Sequence, residues 1–506
     1  MLDYRIDNAK VFDGHHFTDC KRVGIKDGAI VLLGCEDVNA HVIIDGSDKL
    51  LTPTFVDTHS HADFLVSHTD NDGGSSISQG VGTLVVGNCG MSSTPVTEPF
   101  PLLSARANEK NMSCKDHLHQ VKHGLSLKIG ELLGHNTLRL SVLGKPRQAK
   151  GAEIASMCSI LHEFMDAGWL GMSVGLNYPE AKGYSRQELL ALSKVLAKFG
   201  RPLTCHIRDQ AADILDAMDE VINITSEAGC KVLLSHLRPL RTSNDRNIVP
   251  EMERRFDENN HAYFDMYPYV AGCTTLNLYF ETLFHAEPLE AKLFLPDMVT
   301  QAVQTAHANG YADIHIVRHS HRGYEKRTVK EIAKDIGDHP GLTIQRVYLE
   351  DPECVCIFNN NSSQEAVDRL FKHDRCLIGS DAWLYPTVSD EPAHPRNFGA
   401  FTRFLTRYVR TGRIDLTKGL RRITSGAADF FGLDAGRIAL GKRADLALFS
   451  LEELQERADF KNPCQISRGM AGVWIAGRLA FNGTEICDAS RRGVRLSASS
   501  EPQSQT

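Results

Sequence analysis

Long apolar runs are missing from this chain of 506 residues. Its most strongly apolar stretches, such as Ala29 to Leu33, fall far short of the roughly 18 residues that a membrane-spanning helix requires, so no membrane partner is expected. Basic runs are missing too. The 56 Lys and Arg stand against 63 Asp and Glu, a net charge of −7, and nowhere gather the positive charge that neutralises phosphates, so no nucleic-acid partner is expected. The opening Met1-Leu2-Asp3-Tyr4-Arg5 lacks the apolar core of a signal peptide. Cysteine is present without a framework: thirteen residues, an odd number at no regular spacing, suit reduced thiols in a cytosol better than secreted disulfides. What is there is ordinary. With 42% hydrophobic and 24% charged residues, the composition excludes collagen-like, low-complexity and wholly disordered chains.

The texture of the chain changes twice. Residues 1–52 read as short alternating segments, such as Arg22-Val23-Gly24-Ile25 and His41-Val42-Ile43-Ile44, which predict a small antiparallel sheet. From residue 53 to about 434, apolar strand-like runs alternate with helical periodicities, the pattern of βα units around a parallel sheet and hence of an α/β fold. The clearest unit opens with a capping box, Ser185-Arg186-Gln187-Glu188, continues with the stripe Leu189, Leu192, Leu196, Phe199, and stops at Gly200. Strands Pro202 to His206, Lys231 to His236 and Ala262 to Tyr267 follow, with a helix over Asp209 to Ala228 between the first two. His206, His236 and Tyr267 close these strands at the end where α/β barrels carry their chemistry. Alternation returns over residues 435–490, as in Ala444 to Phe449 and Gly472 to Ile475, and predicts a second half for the N-terminal sheet. Residues 491–506, rich in Ser, Arg, Glu, Pro and Gln, read as a mobile tail.

The most informative motif is Val56-Asp57-Thr58-His59-Ser60-His61, where residues i and i+2 of an extended end present two imidazoles to one side. H-x-H alone is only moderately specific; His117-Leu118-His119 and His319-Ser320-His321 repeat it without its setting. Company separates the first motif from these. Cys89 follows the run Thr83 to Asn88, His206 and His236 end their strands, and Asp381 follows Cys376 to Ser380. Imidazole, thiolate and carboxylate are the usual zinc donors, and a catalytic site keeps one position open. Cys205, one residue from His206, points to the other face, and the remaining cysteines read as buried core.

The set Pro53 to His61 with Asp381 closing a late strand resembles the amidohydrolase superfamily. Gln79 to Ser92, with its Gly87-Asn88-Cys89-Gly90, together with Gly134 to Arg139, His394-Pro395-Arg396 and Ile423-Thr424-Ser425, resembles the D-aminoacylases, or N-acyl-D-amino-acid deacylases. The resemblance implies a (β/α)8 barrel over residues 53–434, a small β-sandwich flanking it from both termini, and an insertion near residues 280–345 that forms a lid. It makes Cys89, His206 and His236 ligands of one tightly held zinc, with His59, His61 and Asp381 lining a second, weaker position. Two residues depart from it: Thr54 stands where Gly is usual, and Gly82 where Thr is usual. The fourth-strand region, Trp169 to Leu176, holds no lysine to bridge two metals, which favours a cysteine-type site.

The chemistry expected is metal-assisted hydrolysis of a small N-acyl amino acid, in which zinc acidifies water and Asp381 accepts the proton and returns it to the leaving amine. Asp57 is expected to orient an imidazole through its outer N–H. Arg396 offers a bidentate grip for a substrate carboxylate. Tyr267 or Tyr269 adds a hydroxyl, and the spacing does not choose between them. His135 reads equally as a core or an interface residue. A cyclic amidase or deaminase using the same superfamily site is the alternative, and a non-catalytic barrel the third reading; the latter should have lost ligands.

Overall fold

Eight short parallel strands form the centre of the computed structural model, which describes residues 1–64, 71–95, 125, 127–240, 245–276, 314–359, 361–487 and 493–498. They are β1 (Phe55–Asp57), β2 (Val81–Val86), β3 (Lys128–Gly134), β4 (Gly171–Gly175), β5 (Leu203–His206), β6 (Val232–Leu234), β7 (Ala262–Met266) and β8 (Cys376–Ile378), each paired with the next in chain order. The ring closes between its ends, where Thr58 N–H donates to Ile378 O at 3.3 Å and Ser60 bridges Ala382. Strands covered on both faces are buried along their whole length, as every residue of β2 and β3 is, and the two charges this buries in β3 are met, Lys128 by Asp445 at 2.7 Å and Glu131 by Arg495. This is the (β/α)8 barrel the resemblance implied.

Helices form the outer layer. In Arg186–Lys198 the Ser185 hydroxyl accepts from Glu188 N–H at 3.2 Å, but the Glu188 carboxylate does not return the bond; it turns inward to Arg139 and His135. The next helix begins later than its periodicity suggested, at Ile214, because Asp209 Oδ1 accepts from the N–H groups of Ala211 and Asp213 and makes a turn.

Two sheets flank the barrel. One has the strand order 29–34, 22–26, 2–7, 40–45, and the other the order 10–11, 50–53, 446–449, 470–475, 478–481, so the second joins both ends of the chain. The antiparallel sheet expected from residues 1–52 is therefore corrected twice. Leu2–Asp7 pairs parallel with Ala40–Asp45, and Lys10–Val11 and Leu50–Pro53 leave for the other sheet. Alternation marks a half-buried face and carries no information on the direction of the neighbour. Ile6, Val23, Ile25, Leu51, Leu446, Leu448 and Trp474 fill the layer between.

Between β7 and β8 lies an added three-stranded antiparallel sheet, with Val355–Phe358 between Gly272–Thr275 and Ile314–Arg318. It extends beyond the stretch 280–345 on both sides, and residues 277–313 lie outside the described residues. The tail reading of residues 491–506 is corrected in part. Arg495–Leu496 adds a parallel strand to β3, Arg495 Nε meets Glu131 Oε2 at 2.5 Å, and Ala498 N–H donates to Gly168 O at 3.2 Å. Ladder bonds come from the backbone and need no apolar composition. Residues 491–492 and 499–506 lie outside the described residues. No described helix is long and apolar enough to cross a membrane.

Candidate metal centre

β1 stops at Asp57, and the chain runs on extended between its neighbours, with Ser60 N–H on Val85 O at 3.1 Å and His61 N–H on Ala382 O at 2.8 Å. That continuation keeps His59 and His61 on one side, as the i, i+2 spacing requires. Cys89, in the turn after β2, lies at the middle of the group. Its Sγ is 3.4 Å from His59 Nε2, 3.5 Å from His236 Nε2 and 3.8 Å from His206 Nδ1. Asp381 Oδ1 is 3.2 Å from His61 Nε2 and 3.7 Å from His59 Nε2. The six side chains singled out in the sequence are thus brought together in one group, of which His206 is half-buried and the other five are buried.

These separations test whether the residues suit zinc. Zn–N of about 2.05 Å and Zn–S of about 2.3 Å at a tetrahedral angle give an N···S edge of about 3.6 Å, and two N/O donors an edge of about 3.4 Å. The observed values of 3.2–3.8 Å bracket both. Two sets of donors lie close enough to share an ion, His59–His61–Cys89 and Cys89–His206–His236. Burial disfavours the Cys89 thiolate, yet the surrounding imidazoles hold its thiol well below the ordinary range, so the sulfur is ready as a ligand.

The backbone carries an unusual conformation at three of these positions. Cys89 (φ 55°), His236 (φ 35°) and Asp381 (φ 52°) are all left-handed, a region that side-chain-bearing residues rarely adopt. Hydrogen bonds hold each one. Ser173 of β4 accepts Gly90 N–H at 2.9 Å and donates to Gly87 O, so the strand position without a lysine braces the Cys89 turn. Asn136 Oδ1 fills the space where a Gly90 Cβ would stand, at 2.3 Å, which gives the Gly134-to-Arg139 motif its task. His236 N–H donates to Asp265 Oδ1 at 2.7 Å, and Asp381 N–H to His59 O at 2.8 Å.

Asp265 is the residue that sequence reasoning missed. It is fully buried in β7, and its Oδ2 faces His59 Nδ1 at 3.4 Å. A carboxylate in the middle of an otherwise apolar barrel strand was the signal available. Asp57, expected in this role, touches no ring: Oδ1 accepts from the N–H groups of His59 and Ser380 at 3.1 and 2.9 Å, and Oδ2 from the Ser380 hydroxyl. Burial outweighs those bonds and raises its carboxyl to about 7. Gln210 meets His236 Nδ1 at 3.2 Å and was also missed.

The group opens into a cavity of about 520 Å³ that Tyr178, Tyr267, Arg238, Arg396 and Trp383 help to line. Arg396 is already engaged, its Nη1 2.7 Å from Asp381 Oδ2. Tyr267 lies between two cations, with the Arg238 and Arg396 guanidiniums 4.4 and 4.8 Å from its ring centre. Tyr269 turns away, giving its hydroxyl to Glu456 Oε1 at 2.5 Å, so of the two it is Tyr267 that lines the cavity. Arg238, another residue not singled out, is buried and, among the described residues, donates only to neutral oxygens. Cys205 is buried in the core, and His135 is a core residue 2.8 Å from Glu188. His319 packs beneath the inserted sheet on Val347 O, whereas His117 and His119 lie outside the described residues.

Comparison with known proteins agrees with this geometry. An N-acyl-D-aspartate deacylase of Alcaligenes xylosoxydans xylosoxydans is 30% identical over 491 residues, 94% of this chain and 90% of that one. A D-aminoacylase of the same organism is 28% identical over 90% of this chain and 89% of its own. The crystal structure of N-acyl-D-glutamate deacylase from Bordetella bronchiseptica, complexed with zinc and a phosphonate mimic of the tetrahedral intermediate, superposes with a TM-score of 0.82 at 27% identity and covers 98% of this chain and 100% of that one. A model of the amidohydrolase family matches residues 42–481, from the flanking sheets through every barrel strand, and the chain belongs to that family.

Proposed function

We propose that this protein hydrolyses the amide bond of N-acyl-D-amino acids, releasing a carboxylate and the free D-amino acid. The observation that carries the reading is a thiolate–imidazole–carboxylate donor group at one end of a cavity that also holds a buried guanidinium, Arg238, with no carboxylate partner among the described residues. Cys89, His206 and His236 would hold one zinc tightly, and His59, His61 and Asp381 would line a weaker position. Zinc supplies a Lewis acid for the amide carbonyl and lowers the pKa of water toward about 7. Asp381 Oδ1 accepts the water's proton and returns it to the leaving amine. Asp265 fixes His59 through Nδ1 and His236 through its backbone, so both rings keep their aim. Arg238, Arg396 and the Tyr267 hydroxyl take the substrate's α-carboxylate. With the carboxylate and the acyl carbonyl both fixed, the substituents at Cα must occupy distinct directions, so one enantiomer is preferred. The D hand comes from the family likeness.

The absence of a lysine from β4 supports the cysteine-type centre over a cyclic amidase. We assign residues 53–434 to the barrel and 1–52 with 435–490 to the flanking unit. No disulfide joins any two of the described cysteines, which fits the reducing cytosol. A chiral panel of N-acetyl and N-formyl amino acids, assayed with defined zinc, tests the proposal. Turnover of D-substrates alone is the expected result; turnover of cyclic amides instead would replace it.

A further inference from the structure

The four-stranded flanking sheet, in the order 29–34, 22–26, 2–7, 40–45, ends in two edges that differ. Strand 29–34 is covered at its start: Ala29 bridges Arg443, and Ile30 N–H donates to Lys442 O while Ile30 O accepts from Gly441 N–H, each at 2.8 Å. Ala40–Asp45 is bare. Nothing among the described residues pairs with its outer side. Gly46 N–H turns inward to Asp7 O at 2.7 Å, and successive residues of a strand direct their backbone groups to opposite sides, so Asp45 and Ile43 direct theirs outward.

Proteins blunt such an edge with Lys, Pro, a bulge or a very short strand. This edge has six residues, no Lys, Arg or Pro, and no shift of register against Leu2–Asp7. Instead it shows apolar side chains on both faces, Val42 and Ile43 being 44% and 57% exposed. The order of residues along the strand matches a second copy of itself. Laid antiparallel about a two-fold axis through Ile43, it sets Ile43 against Ile43, Val42 against Ile44, and the exposed His41 against the exposed Asp45 of the second copy. Asp45 is already fixed, its Oδ1 held by Asn8 at 3.1 Å and by the Ser47 hydroxyl at 2.7 Å. Ile44 already packs on the layer that Ile6 helps to fill, so the pairing carries that layer across the axis. We propose that Ala40–Asp45 is the interface of a two-fold dimer, in which this strand pairs antiparallel with itself and the two sheets become one. The symmetry closes the assembly, and the cover on strand 29–34 opposes further growth of the sheet.

Sedimentation velocity of the zinc-loaded full chain across a dilution series tests this. The expected mass is near twice 56.0 kDa, and a monomer at every concentration overturns the proposal. Ile43→Lys sets two ammonium groups across the axis and should abolish the dimer, as should Ile43→Pro, which removes the outward N–H and spares the inner ladder. Val31→Lys, at a residue 47% exposed on the covered edge strand, should leave the dimer intact. The charge pair tests the register by sign. Each dimer contains it twice, so His41→Lys should lower the dissociation constant and His41→Asp raise it, each by about two- to thirtyfold. A dimer that survives both changes at Ile43, that Val31→Lys also disperses, or that responds alike to His41→Lys and His41→Asp belongs to another surface and overturns the assignment. If the Ile43 variants fail to fold, the opposite signs at His41 still decide.

Discussion

Gly82 and Thr54 each depart from the pattern the chain otherwise resembles, and in space they answer one another. Thr54 is buried immediately before β1, and Gly82 lies in β2 beside it. A Cβ on Gly82 would stand 2.4 Å from Thr54 Oγ1, 2.6 Å from its Cβ and 2.9 Å from its Cγ2. Contacts below 3.0 Å to a Cβ cannot be relieved by a rotamer change, so Gly82→Thr must displace backbone within the barrel wall. Overpacking of this kind costs about 1–3 kcal/mol. Thr54→Gly removes three buried heavy atoms and adds chain freedom, about 2 kcal/mol from roughly 0.8 per apolar group and up to 1 for glycine. If the two side chains compete for one space, the double variant puts a Thr back into the gap that Thr54 leaves and should fall within about 1 kcal/mol of the parent. The single costs together predict about 3–5, so the coupling is at least about 2–4 kcal/mol, at or above the upper end for residues in contact. Denaturant midpoints and slopes of the four proteins, at equal metal content, measure it. A double variant as unstable as the sum of the singles would refute the shared-space reasoning.

Other perturbations probe the centre and its supports. Asp265→Asn keeps an oxygen for His236 N–H but turns an NH2 toward His59 Nδ1, and metal affinity at the His59 side should fall about ten- to a hundredfold by chelator competition; unchanged affinity would remove Asp265 from its positioning role. Cys89→Ala should lose the tight metal on dialysis and Cys205→Ala should keep it; equal retention returns Cys89 to the core. Asp381→Asn should fold, hold its tight metal and lose at least about 10²- to 10⁴-fold in kcat, and near-normal turnover contradicts the proton-transfer role. Burial favours the neutral form of Glu188, but His135 and Arg139 prevail and hold its carboxyl below the ordinary range. A depressed folded pKa stabilises above the unfolded value of about 4.3 and is lost as pH falls through the folded one. Glu188→Gln, which leaves Arg139 buried without its counter-charge, should therefore cost about 3–5 kcal/mol at pH 7, and the gap should narrow only below about pH 4.

Much of this centre was legible because its donors obey simple spacings. His59 and His61 follow the two-residue period of extended chain, and His206 and His236 recur at the ends of successive βα units. The supports are less legible, since they depend on which strands become neighbours. Asp57 looks, by proximity, like the partner of an imidazole, yet the pairing of β1 with the loop after β8 gives its oxygens to His59 N–H and Ser380. Asp265, 206 residues from His59, takes that place. Residues 493–498 look like solvent-exposed tail by composition, but they bond through the backbone to β3, which composition does not encode. Arg396 matches a carboxylate-binding motif, and only the fold reveals that the enzyme's own Asp381 is already beside it.

The strain at the centre was written in no local preference. Cys89, His236 and Asp381 all bear side chains that disfavour left-handed backbone, and each such residue costs on the order of 1–3 kcal/mol unless its surroundings over-determine it. All three lie just past the end of a barrel strand, where extended chain would carry the side chain onward instead of turning it across the barrel mouth. A left-handed residue reverses the chain there, and the bonds that hold it come from other strands: Ser173 of β4 for the Cys89 turn, Asp265 of β7 for His236, and the backbone of His59 after β1 for Asp381. The donor group is therefore assembled only when the ring of strands has closed, which ties the geometry required for a metal to the completion of the barrel rather than to any one βα unit.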